Sequence, residues 1–193
     1  YEVDPLDHRD LTRGIQEGRR YLWDFARALS TCIPWQRDAY VQTTPNSIGI
    51  RSGRRVFGHR RVTEQDVWSF AKYPDSVARV SWDVDIYNPH RYQGWSVPRH
   101  TTEYQAHIDR LKQGDYFDIP YDCIVVRDVE NLFVVGRCVS AEHVAQSTLR
   151  IQQTCMATGE AAGVAATLSL RAGVAPHRLD TKALTARLEE LRD

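Results

Sequence analysis

Apolar positions along the chain fall into two periods. Leu11, Ile15, Leu22, Phe25, Ala26 and Leu29 recur at spacings of three, four and seven, which predicts a helix with one apolar face. Asp10 and Thr12 are its candidate caps, and it should end near Thr31, because Ile33 precedes Pro34 and is pushed out of the helical region. Short extended segments are expected at Tyr40 to Thr43 and at Asn46 to Arg51, broken by Ser52-Gly53. Thr63 with Asp66 three residues on forms a capping box ahead of a helix from Glu64 to Lys72, stopped by Pro74-Asp75. From Ala78 to Ile86 apolar and polar residues alternate, the mark of a half-buried strand. Tyr104, Ile108 and Leu111 suggest a short helix closed by Gly114, and Ile119-Pro120-Tyr121 reads as extended. Cys123 to Val126 and Leu132 to Val135 are two short apolar strands joined by a turn at Asp128 to Asn131. A long helix runs from about Thr154 to Gly173, and Asp180 caps a last helix carrying Leu184, Leu188 and Leu191 on one face.

The stretch from Asn131 to Gly173 is the most informative. A buried strand runs into Gly136-Arg137, a polar loop containing His143 follows, then Arg150, then a helix rich in small residues. A helix N-terminus presents unpaired N–H groups and partial positive charge, so it favours an electron-rich flat group. Arg150 would add a fixed charge there, or else serve a structural ion pair. Gly159 and Gly163 each cost the helix roughly 1 kcal/mol relative to alanine, which makes sense if something approaches closely. The chain contains no Gly-x-Gly-x-x-Gly, so this half-site has no dinucleotide fingerprint beside it. The polar, aromatic loop from Asn88 to Thr102, with His90, Trp95 and His100, either lies beside a ligand or is a surface excursion.

Composition narrows the classes. Formal net charge is zero, with 25 basic and 25 acidic residues, which argues against a nucleic-acid partner. Arg51, Arg54, Arg55, His59, Arg60 and Arg61 cluster within eleven positions, as a solvated loop or a binding patch. No apolar run approaches a membrane span. The polar N-terminus is neither signal nor transit peptide, and the absence of an initiating methionine suggests a fragment, a processed subunit or a trimmed chain. Cys32, Cys123, Cys138 and Cys155 lack metal-ligand spacing, so no metal site is predicted and reduced, buried thiols in a cytoplasmic protein are expected. Cys155, near a helix start, is either a stabilised thiolate or a packing residue.

NLFVVGRCVSAEHVAQSTLRIQQTCMATGEAAGVAATLSL resembles the C-terminal flavin-domain segment of FAD-dependent oxidoreductases of the glutathione-reductase-like superfamily. There a strand ends in Ala-Gly-Arg, and a Ser-Ala loop, an Arg and a Cys-x-x-x-Gly-x-Ala-Ala-Gly helix follow. DLTRGIQEGRR, GIRSGRRVFGHRRVTEQDV, SWDVDIYNP and GDYFDIPYD resemble further family segments in the same order. The resemblance implies an α/β (mixed α+β) fold: an incomplete Rossmann-like FAD-binding domain with an attached substrate domain. Residues 1–116 would be substrate domain, 117–178 the re-entry segment of the FAD domain, and 179–193 a C-terminal helix.

It also implies roles. Gly136 and Arg137 would lie near the ribityl–phosphate part of FAD, and Arg150, Gln153, Thr154 and Cys155 would border the isoalloxazine. Arg51, Arg55, His59 and Tyr121 would face the substrate. Arg54 and Arg55 are alternatively ion-pair partners within the fold. His143 would take a proton, having an unperturbed pKa near neutrality, or is a structural histidine. The expected activity is hydride transfer from a small-molecule substrate to flavin N5, with Arg150 assisting. The nucleotide-binding half is missing, so a second polypeptide or a cleaved N-terminal half is the expected partner. Ser52-Gly53 stands where the family has Glu-Ser, and Asp122 where it has Arg. These departures leave open a non-catalytic assembly or regulatory subunit.

Overall fold

The computed structural model describes residues 3–86 and 101–191. The expected loop from Asn88 to Thr102, with His90, Trp95 and His100, lies outside the described residues except at its last two positions, Thr101 and Thr102. The chain divides into two compact units, Tyr1–Gly53 and Arg54–Asp193.

The first unit is built on α1 (His8–Cys32). Its cap is Asp7, whose carboxylate accepts from the Arg9 N–H; Asp10 sits inside the helix and accepts from the Asp4 N–H at 2.7 Å instead. The helix stops where expected, at Ile33, and Pro34 opens a single 3₁₀ turn. The expected strands at Tyr40 to Thr43 and Asn46 to Arg51 do not form, and no strand occurs among the described residues of this unit. Extended segments become strands only when a neighbour completes their ladder. Gly14 is the one buried residue of α1: a Cβ there would meet Val3 Cγ2 at 2.9 Å. Tyr21, Trp23 and Phe25, by contrast, are each more than half exposed.

In the second unit, α2 (Glu64–Ser69) opens with the predicted box: Thr63 and Asp66 each accept the other's backbone N–H. β1 (Ser76–Val80) pairs antiparallel with β2 (Phe117–Pro120), setting Ala78 against Ile119 and Val80 against Phe117. β1 is shorter than the alternation suggested. β2 begins opposite Val80, so residues 81–86 have no strand partner. α3 (Thr102–Lys112) is capped by Thr101, and the chain reverses at Gly114 with φ +84°.

Ile124 to Val126 and Leu132 to Val134 face each other through two backbone bonds, Val126 N–H to Leu132 at 3.2 Å and Val134 N–H to Ile124 at 2.9 Å. They remain one bridge rather than two strands, and Cys123 belongs to a 3₁₀ turn instead. The segment from Val56 to Val62 runs alongside, bonding to Val125 and Asp122 on one side and to Cys138 and Ser140 on the other. Gly58 is required there, because a Cβ would lie 2.6 Å from the Asp122 carbonyl oxygen.

The predicted loop after Gly136 contains α4 (His143–Leu149). Its letters look polar, yet Gln146, Ser147 and Thr148 are buried. The Ser147 and Thr148 hydroxyls donate to the Val144 and Ala145 carbonyls, both at 2.7 Å, which hides their polarity within the helix. α5 (Gln152–Ala172) ends at Gly173 with φ +65° and packs on β1 and on α6 (Thr181–Glu190), which Asp180 caps. The core joins Val77, Ala78, Val80, Phe117, Ile119, Ala161, Ala165, Leu184 and Leu188. The whole is a mixture of helices with a small antiparallel sheet.

Candidate functional site

Three elements of the second unit converge where the sequence pointed. The 3₁₀ turn Gly136–Cys138 brings Gly136, at φ +66°, against the first turn of α5. A Cβ on Gly136 would touch Cys155 Sγ at 3.6 Å, and the Gly136 N–H reaches Thr158 Oγ1 at 3.4 Å. α4 lies beside this turn, and Gln146 Nε2 donates to the Arg137 carbonyl at 3.4 Å. The positive φ is what favours glycine there, since a Cβ would make only ordinary contact with Cys155.

No side chain caps α5; Ile151 occupies its N-cap position. The N–H groups of Gln152, Gln153 and Thr154 therefore carry the positive end of a helix of 21 residues. Gln153 is exposed at that end, and Thr154 is buried. Arg137 is exposed and Cys155 half-buried. Burial pushes the Cys155 thiol pKa up, against the opposing charge of Arg137. The helix start thus does not hold a stabilised thiolate, and Cys155 acts as a packing residue against Gly136.

Arg150 follows α4 and is mostly buried, with its side chain 12 % exposed. Its Nη2 donates to the Asp85 carbonyl at 2.5 Å and pairs with the Asp85 carboxylate at 3.3 Å. The Ser147 hydroxyl accepts from the Asp85 N–H at 3.3 Å, so Asp85 ties the end of its segment to α4. The structural ion pair weighed for Arg150 is therefore present.

His143 is exposed at the first position of α4, not in a loop as expected. Partial desolvation, then the charges of Arg55 and Arg150, hold its pKa below the ordinary imidazole value. Its neutral form, which accepts a proton, is favoured. Arg55 is half-buried, and its Nη1 is enclosed with no hydrogen-bond partner among the described residues.

Other candidates lie elsewhere. Tyr121 is a core residue, 1 % exposed, whose hydroxyl donates to the Pro176 carbonyl at 2.9 Å. Burial, with Asp122 beside it, raises its pKa, and nothing leaves it free to face a substrate. The ring of exposed His59 stacks on His177 at 5.8 Å. Arg51 belongs to the first unit, where it is exposed. Of the four thiols, all free, only Cys123 is buried; Cys32 and Cys138 are exposed. Gly159 and Gly163 have open space where a Cβ would stand, so the expected close approach is absent among the described residues. The buried face of α5 is instead Thr154, Thr158, Ala161, Ala165 and Ser169.

Sequence reasoning missed Asp85, Gln146 and Glu142. Glu142 pairs with Arg61 at 3.0 Å and accepts from the Glu64 N–H at 2.9 Å, joining α4 to α2. The one available signal was Asp83 and Asp85 in the polar phase of the period-two run.

No helix among the described residues is long and apolar enough to cross a membrane. The family model described as FAD dependent oxidoreductase matches residues 1–188. No curated protein and no solved structure matches the chain. The chain belongs to the FAD-dependent oxidoreductase family, and FAD is its cofactor.

Proposed function

We propose that this FAD-dependent oxidoreductase forms the isoalloxazine-side wall and the substrate pocket of a split flavin site, oxidising a small molecule that carries a hydroxyl or amine. The observation that carries this reading is the uncapped first turn of α5 standing against the positive-φ turn at Gly136. The residues present suit the ring end of FAD: free N–H groups at Gln152 to Thr154, the Arg137 charge, and the enclosed Arg55 Nη1, which lacks a partner among the described residues. When bound, FAD supplies the hydride acceptor. His143, favoured as a neutral imidazole, takes the proton of the substrate hydroxyl or amine. Arg55 orients the electron-rich side of the substrate or ring, and Arg150, fixed by Asp85, adds positive potential behind it.

Residues 1–116 supply the substrate domain and 117–178 the re-entry segment of an incomplete Rossmann-like domain, in the glutathione-reductase-like manner. The adenosine end is provided by a second polypeptide or a cleaved N-terminal half bearing the glycine fingerprint, which these 193 residues lack. The open faces at Gly159 and Gly163 give that half a surface it can approach closely. Four free thiols fit a cytoplasmic setting.

The test is flavin absorbance. The chain purified alone should be colourless and should turn yellow on co-expression with the nucleotide-binding half. Tight FAD binding by the isolated chain would sink the split-site reading. A second reading, a non-catalytic assembly subunit, draws on the engagement of Arg150 by Asp85 and on Ser52, Gly53 and Asp122. In the reconstituted complex, His143→Ala should lower turnover at least tenfold with assembly intact; an assembly subunit would show no change.

A further inference from the structure

The second unit holds a cavity of about 500 Å³ that shares no residue with the flavin cluster. Its apolar walls come from Trp68 on α2 and from Tyr104 and Ala106 on α3. At its base is His107, only 3 % exposed. The imidazole meets the Trp68 ring edge-on, centroids 4.9 Å apart, and lies 4.9 Å from the Phe70 ring. Neither ring nitrogen has a hydrogen-bond partner among the described residues. A buried polar group without a partner is costly, and native interiors seldom keep one unless something else completes it.

The other polar groups of the lining are already committed. The Tyr104 hydroxyl donates to Asp83 at 2.5 Å, and the Trp68 indole N–H donates to Glu64 at 2.9 Å. Thr101 Oγ1 accepts from the Tyr104 N–H at 3.3 Å. Arg110 is paired with Asp115 at 2.6 Å and covers Phe70 at 4.0 Å. Glu103, exposed at the rim, leaves the described lining with a negative bias. Burial disfavours the imidazolium, so His107 presents one N–H donor and one lone-pair acceptor among aromatic rings.

We propose that this cavity is a binding site for a neutral, planar aromatic alcohol, its rings held by Trp68 and Tyr104 and its hydroxyl bonded to His107. A hydroxyl both donates and accepts, so it suits a neutral imidazole whichever nitrogen carries the proton. An anionic ligand would face Glu103 with Arg110 already neutralised, and a purely apolar one would leave the imidazole unsatisfied.

The probe is 2-naphthol, with naphthalene as the analogue lacking the hydroxyl. Fluorescence anisotropy with the intact protein should give saturable binding of both, about tenfold tighter for 2-naphthol. His107→Phe should bring 2-naphthol down to the affinity of naphthalene and leave naphthalene unchanged. Ala106→Trp, at an exposed position of the lining, should abolish binding of both. The proposal is overturned if 2-naphthol does not saturate, if the wild type binds the two equally, or if His107→Phe keeps the preference. Should His107→Phe fail to fold, the wild-type preference together with Ala106→Trp decides.

Discussion

His107 and Tyr121 are both nearly inaccessible, and they answer burial in opposite ways. Tyr121 is satisfied: its hydroxyl donates to the Pro176 carbonyl, so removing the oxygen strands that carbonyl. Tyr121→Phe should cost about 1–2 kcal/mol in denaturant unfolding and leave turnover unaltered. A folded variant with lowered turnover would restore Tyr121 to the substrate side. His107 is unsatisfied, and burial followed by the Arg110 charge lowers its pKa, against Asp83. The sign follows directly. The unfolded chain takes up a proton near pH 6.5 while the folded chain resists, so stability falls as pH drops below about 6.5. Thermal melts at pH 7 and pH 5 should show this loss. His107→Phe should remove most of it and cost little at pH 7, since an apolar ring suits the site. An unchanged acid slope in His107→Phe would assign the effect to other groups, of which His143 is the first to examine.

At the scale of elements, the close packing of extended segments carries the site. Val56 to Val62 passes between two backbone segments, and Gly58 is the position without room for a side chain. Gly58→Ala should destabilise the second unit by about 1–3 kcal/mol, read by chemical denaturation, because the obstacles are the Asp122 and Arg60 carbonyl oxygens rather than a flexible side chain. Several helix ends that depend on neighbours a few residues away were legible in the sequence, though the cap of α1 is Asp7 rather than Asp10 or Thr12, and α2 ends at Ser69 rather than Lys72. The Thr63–Asp66 box, the Asp180 cap and the Gly173 terminus all form as predicted. α4 was illegible, because its buried face carries Gln146, Ser147 and Thr148, and two of these satisfy their hydroxyls on the helix itself. The strand from Ala78 was legible in its alternation but not in its length, which its partner sets by beginning opposite Val80.

At the scale of the molecule, the open faces matter most. In the isolated chain a Cβ added at Gly163 would meet no neighbouring atom within 4 Å among the described residues, so Gly163→Ala should raise the stability of α5 by roughly 1 kcal/mol. In the reconstituted complex the same change should weaken association, if another backbone packs there. Sedimentation or titration of the two halves measures this, and equal affinity for both forms would remove α5 from the interface. Large apolar residues of the first unit, among them Trp35 at 83 % exposed, also stand uncovered.

What the sequence determined alone was local: the Thr63–Asp66 box, the Asp180 cap, the stop before Pro34 and the glycine terminus. Each depends on contacts within about one helical turn, where backbone geometry dictates who meets whom. The tertiary structure decided the rest. It paired Arg150 with Asp85 across 65 positions, buried Tyr121 against Pro176, set Gly136 against Cys155, and left the His107 imidazole facing a cavity. Such meetings depend on which segments pack together and on what burial leaves unpaired, and no periodicity along the chain records either.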